Sequence, residues 1–78
     1  MTIKVLGSGC PNCQRLENNV NQAVTENKIE AKVEKITDLI KIVQFGAMGM
    51  PALVVNEKLV IAGRVPEVTE IKEILKNA

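Results

Sequence analysis

Apolar and polar positions along this chain follow patterns whose period changes several times. Ile3-Lys4-Val5-Leu6 reads as a short strand, stopped by Gly7-Ser8-Gly9. From Pro11 the period lengthens. Cys13, Leu16, Val20, Ala23 and Val24 fall on one helical face, with Glu17, Asn18, Asn21 and Gln22 largely off it, which predicts a helix ending near Asn27. Residues 29–34 then alternate strictly: Ile29, Ala31 and Val33 on one side, Glu30, Lys32 and Glu34 on the other. That predicts a strand with one wet face at a sheet edge, where charges discourage further pairing. Thr37 can cap a short helix over residues 38–45, and Gly46 suits its C-terminal stop. The continuous apolar run Ala52-Leu53-Val54-Val55 predicts a strand buried on both faces. Asn56-Glu57-Lys58 reads as a turn and Leu59-Val60-Ile61-Ala62 as the return strand of a hairpin. Pro66 can open a last helix where its missing N–H costs nothing. Val68, Ile71, Ile74 and Leu75 form that helix's apolar stripe, with Glu67 and Glu70 early and Lys72 and Lys76 late, as the helix dipole favours.

The predicted order is β-α-β-α-β-β-α. Two strands flanking a long helix should be parallel with a right-handed crossover, and the hairpin adds two antiparallel strands. The expectation is an α/β fold with a four-stranded mixed sheet and helices on both faces.

Composition narrows the function. The chain has 78 residues, 46% apolar and 24% charged, with net charge +1, which fits one small soluble domain over residues 1–78. Near-neutral charge without a basic run argues against nucleic acid. Phe45 is the single aromatic residue, so stacking on bases is unsupported too. The chain has no His, which excludes Cys-His pairs, Ser-His-Asp triads and His-bearing metal sites. No signal peptide is visible at Met1-Thr2-Ile3-Lys4, and apolar runs of about four residues are far short of a membrane span. The expected setting is a reducing cytoplasm, with no membrane partner and a monomeric chain.

Two cysteines remain, Cys10 and Cys13. Closing so short a loop constrains an unfolded chain by only roughly 2 kcal/mol. The pair is therefore a poor staple, and redox or metal chemistry is the better reading. Cys10 falls at the predicted helix N-cap and Pro11 at the first helical position. The amides of Asn12 and Cys13 should then point at the Cys10 sulfur, where a thiolate also meets the positive end of the helix dipole. Such sites lower a cysteine pKa from about 8.5 toward 7 or below. Cys13, one turn in on the apolar face, should be buried and less acidic. The asymmetry makes Cys10 the candidate nucleophile on a substrate disulfide and Cys13 the residue that resolves the mixed disulfide. The other readings are an inert pair or half of a metal site. Structural zinc needs four ligands, and this chain offers two thiols and no His, so zinc would require a dimer or carboxylate ligands and no metal-binding residue is assigned. Gly7-Ser8-Gly9 also suggests a dinucleotide loop, but Asn12 occupies the third glycine position.

Met50-Pro51 stands just before the buried strand, and the residues alone leave Pro51 as an ordinary strand-opening proline. Together with Cys10-Pro11-Asn12-Cys13 after the first strand, it makes the chain resemble the thioredoxin superfamily. The segments Lys4-Val5-Leu6-Gly7-Ser8-Gly9-Cys10-Pro11-Asn12-Cys13, Gly49-Met50-Pro51-Ala52-Leu53-Val54 and Ala62-Gly63-Arg64-Val65-Pro66 look most like its small redox-active disulfide proteins, which are glutaredoxin-sized.

The resemblance implies a thioredoxin-like fold and thiol-disulfide exchange with protein disulfides. It needs no cofactor beyond the Cys10–Cys13 disulfide, and a separate reductase supplies electrons. It implies that Pro51 is cis and lies against the cysteine pair, that the Met50 backbone pairs with the substrate chain, and that Gly63 passes close to the site. Pro11 and Asn12 complete the expected substrate surface. On the residues alone Gly63 also reads as a strand-ending glycine, and Met48 and Met50 as either an adaptable apolar patch or core filling. Lys4 and Arg64 can favour the Cys10 thiolate if close.

Two positions depart from the superfamily pattern. Gly9 stands where many thioredoxins have Trp, and Lys4 stands in the strand that usually carries a buried acid. No acidic residue precedes Glu17, so proton transfer at Cys13 is left to water or the departing thiolate. The rival reading is a carrier for Cu(I), Hg(II) or As(III) on the same two thiolates. Small metallochaperones usually place Met two residues before the first Cys, where this chain has Ser8, and they order their elements differently.

Overall fold

The computed structural model describes every residue except Ser8. The elements follow in the predicted order: β1 (Thr2–Leu6), α1 (Pro11–Asn27), β2 (Lys32–Ile36), α2 (Leu39–Gln44), β3 (Ala52–Val55), β4 (Lys58–Ala62) and α3 (Val68–Lys76). The strands form one sheet in the order β2-β1-β3-β4. β1 and β2 are parallel, and the other two pairings are antiparallel. This is the thioredoxin-like arrangement that the resemblance implies.

The alternation within β1 sends side chains to both faces of the sheet. Ile3 and Val5 join Leu53, Val55 and Ile61 beneath α1 and α3, which contribute Leu16, Val20, Ala23, Ile71 and Leu75. Leu6 faces the other way and packs with Ala52, Val54, Ile42 of α2 and Ala47. Each fully buried Leu or Ile contributes roughly 1.5–3 kcal/mol, so the first cluster is the main stabilising core. The four residues of β3 are all buried, as their unbroken apolar run predicts.

Several boundaries differ from the sequence reading. The strand expected over residues 29–34 runs over Lys32–Ile36. Lys28 takes a left-handed conformation that closes α1, and the Ile29 amide donates back to Val24. Ile29 and Ala31 do reach the core, but the ladder opens only where Lys32 meets Thr2. The cap of α2 is Asp38, not Thr37: its carboxylate accepts from the Ile40 amide at 2.9 Å. Pro66 does not open the last helix. It is buried just before the Glu67 cap, and its carbonyl accepts from Asn19 Nδ2 at 3.0 Å. The hairpin turns through Asn56 and Glu57, both at positive φ, the conformation a two-residue turn needs to match strand twist.

α1 and α3 are also tied at their surfaces, by Asn27 Nδ2 to the Lys72 carbonyl and by the Lys72–Glu26 ion pair at 3.0 Å. Hydrogen bonds from Gln22 and then Lys72 hold the Glu26 carboxyl below its ordinary value, and a hydrogen bond from Arg64 does the same for Glu70. A lowered folded value means stability that is present above the ordinary carboxylate range and lost as pH falls through the lowered value. The urea midpoint is expected to drop modestly between about pH 5 and pH 3, since both groups are exposed, and Glu26→Gln should flatten that slope.

Candidate active site

β1 ends at Leu6 and α1 begins at Pro11, so the cysteines stand where the first strand gives way to the first helix. Cys10 is the N-cap, with φ −68° and ψ 163°, and Pro11 is the first helical residue. The Cys13 amide donates to Cys10 Sγ at 3.1 Å. Of the two amides expected to aim at that sulfur, only this one makes the bond. Cys10 and Cys13 are joined in a disulfide, with Cα atoms 5.0 Å apart. Cys10 is half-buried and Cys13 only 2% exposed.

Gly7 explains how Cys13 fits. A Cβ built on Gly7 would overlap Cys13 Sγ and lie 2.9 Å from its Cβ. The bare backbone of Gly7 is therefore the floor on which Cys13 rests. The sequence reading of Gly7, as a strand stop or part of a glycine-rich loop, missed this packing. The available signal was a glycine at the strand end, three residues before Cys10. Ser8, part of the same expected stop, lies outside the described residues.

The second half of the site is built on β3. The register pairs Leu6 with Ala52, which places Pro51 at the Gly7 end of the sheet. Pro51 is buried, its peptide bond to Met50 is cis, and its carbonyl accepts from the Gly63 amide at 2.9 Å. Gly63 has φ +80°, and Gly49 lies so near that a Cβ there would sit 3.2 Å from Gly63 Cα. Two loops thus approach at Gly49, where an added Cβ would be tight against the Gly63 backbone, while the positive φ of Gly63 itself favours glycine. Met50 is 41% and Met48 99% exposed, which removes the core-filling reading for both. Pro11 and Asn12 are exposed at the start of α1.

Lys4 and Arg64 are engaged elsewhere. Lys4 Nζ pairs with Glu57 at 3.0 Å and sits over the Phe45 ring, 4.9 Å from its centroid. Arg64 grips Glu70 through two hydrogen bonds, which raise its pKa further. Among the described residues, no three His, Cys, Asp or Glu side chains converge as a metal-ligand set. None of the described helices is long and apolar enough to cross a membrane.

A cysteine pair spanning the cap and first turn of a helix, with a cis-proline loop at the same end of a mixed sheet, defines a thioredoxin-like thiol-disulfide oxidoreductase. Comparison with known proteins agrees. The chain belongs to the thioredoxin domain family, whose sequence profile matches residues 1–76. It is 45% identical over 75 residues to a thioredoxin of Methanothermobacter thermautotrophicus, covering 96% of this chain and 97% of that one. It is 36% identical over 77 residues to a thioredoxin of Methanocaldococcus jannaschii, covering 99% and 88% respectively. A probable thioredoxin of Archaeoglobus fulgidus is 33% identical over 71 residues, covering 87% and 77%.

Proposed function

We propose that this protein, acting as a single domain over residues 1–78, reduces disulfide bonds in other proteins, with Cys10 as nucleophile and Cys13 as resolving thiol. The observation that carries this assignment is the asymmetry of the pair. The Cys10 sulfur receives the Cys13 amide at a helix N-terminus in a residue that is only half-buried, while Cys13 is buried with its sulfur against Gly7. A hydrogen bond and a helix dipole favour the thiolate over the thiol, and the thiolate is the attacking species.

In this reading the Cys10 thiolate attacks a substrate disulfide, and one substrate sulfur leaves. Cys13 then attacks Cys10 Sγ, the second substrate sulfur leaves, and the Cys10–Cys13 bond forms. Two electrons pass to the substrate. The exposed rim of Met50, with Pro51, Gly63, Pro11 and Asn12, is the surface on which the substrate chain rests. The resulting disulfide is reduced by a separate reductase, and no cofactor beyond the dithiol takes part. A pair kept reduced for this work fits the cytoplasm.

The test is alkylation of the reduced protein between about pH 5 and 9, with each cysteine quantified by mass. Cys10 should react first, with a midpoint below the ordinary thiol value of about 8.5. Faster modification of Cys13 at pH 7 would reverse the assignment.

A further inference from the structure

Cys13 must lose a proton before it can attack Cys10, and it is shielded from bulk water. The strand beneath it carries Lys4, whose ammonium is occupied by Glu57. The helix nevertheless places a carboxylate one turn away. Glu17 follows Cys13 by four residues on α1, which stacks the two side chains one turn apart. Helical side chains lean toward the N-terminus, so Glu17 leans toward the level of Cys13.

The inner oxygen of Glu17, Oε2, is shut off from solvent, although the side chain as a whole is 32% exposed. Among the described residues it has no hydrogen-bond partner. Lys35 Nζ approaches to 3.4 Å, near enough for attraction but outside hydrogen-bond geometry. A shielded carboxylate oxygen with unfilled acceptor capacity is costly unless something uses it. The sheet register fixes where it lies. Lys35 pairs with Val5, and Gly7, the floor of Cys13, follows two residues later, just past the end of β1. Lys35 approaches Glu17 from β2, while Val5 on β1 and Gly7 just beyond it are uncharged. In the contacts of α1 with the C-terminal segment, Asn19 bonds the Pro66 carbonyl and Glu26 pairs with Lys72 of α3.

From this placement we propose that Glu17 accepts the Cys13 proton during resolution of the mixed disulfide, with Lys35 holding the carboxylate in position. This rests on the assignment of Cys13 as the resolving thiol. The proton passes from Cys13 Sγ to Glu17. The Cys13 thiolate then attacks Cys10 Sγ, the bond between Cys10 and the substrate sulfur breaks, and the departing thiolate takes the proton back from Glu17 directly or through water. Glu17 ends as it began, and the two electrons reside in the substrate thiols.

The test uses the reduced protein and a chromogenic aromatic disulfide in stopped flow, where the first thiolate release reports attack by Cys10 and the second reports resolution by Cys13. An ordinary thiol is ionised to only about 3% at pH 7, so loss of its acceptor can slow the second release by between about 10- and 30-fold. Glu17→Gln should show that deficit at pH 7, and the gap should close by about pH 9, where thiols ionise unaided. The first release should stay within about twofold of wild type, and Glu17→Asp should restore much of the second. A second release in Glu17→Gln that matches wild type, or is slowed equally at both pH values, overturns the role of Glu17. Cys13→Ser is run alongside. One release in that variant with a stable adduct on Cys10 upholds the cysteine assignment, so a normal Glu17→Gln then counts against Glu17 alone. An adduct on Cys13 in Cys10→Ser that forms as fast as in wild type removes the assignment itself, and the proposal with it.

Discussion

Cys13→Ser should retain attack on disulfides but lose turnover, and it should accumulate a mixed disulfide between Cys10 and its substrate. The serine hydroxyl cannot expel a thiolate from sulfur, so the intermediate persists until an external thiol arrives. Steady-state reduction of a protein disulfide should fall to background. A single substrate mass should remain attached to Cys10 under non-reducing conditions and disappear with dithiol. The thiolate environment of Cys10 should survive, because it comes from the backbone amide at position 13 and from α1, not from the Cys13 side chain. If the adduct fails to form while Cys10 still alkylates rapidly, the substrate surface beside Pro51 is misassigned and the cysteine chemistry stands.

Gly7→Ala carries the second large effect. One added methyl would occupy the space held by Cys13 Sγ, and its neighbours are backbone and a buried sulfur with little room to yield. Overpacking of this kind costs about 1–3 kcal/mol. In a domain of this size that lowers the melting temperature by roughly 4–8 °C for each kcal/mol. Because the displaced group is a reacting sulfur, the loss of disulfide reduction should exceed what the unfolded fraction explains at 25 °C. A variant with wild-type melting and wild-type activity would show that the Gly7 backbone does not position Cys13.

Much of the fold was legible because periodicity reports burial directly. The run from Cys13 through Leu16, Val20 and Ala23 defines the buried face of α1, and the unbroken Ala52-Leu53-Val54-Val55 defines the central strand β3. The errors arose where one signal serves two structures. Ile29 and Ala31 alternate with charges as a strand would, yet they belong to the return from α1, and pairing begins at Lys32. Thr37 and Asp38 are both cap residues, and only side-chain geometry distinguishes them. Pro66 suits a first helical position but is spent on the core and on Asn19.

The site divides along similar lines. Cys10 and Cys13 were legible from spacing alone, and the proline loop from its resemblance to a family. The resemblance also implied that Gly63 passes close to the site, but the contacts of Gly49 with Gly63 and of Gly7 with Cys13 were not legible. Each is a close approach between residues distant in sequence or an absent side chain, and neither leaves a periodic trace. Glu17 shows the opposite limitation. Its position off the apolar stripe read as solvent-facing, while one of its oxygens is shielded between α1 and β2.

The most direct test of thiol-disulfide exchange through Cys10 is reduction of insulin by the dithiol-reduced protein, wild type beside Cys10→Ser. The account predicts steady reduction by wild type when a dithiol regenerates it, and only the dithiol's own background rate with Cys10→Ser. Equal rates from the two proteins, or no reduction by wild type above that background, would contradict it.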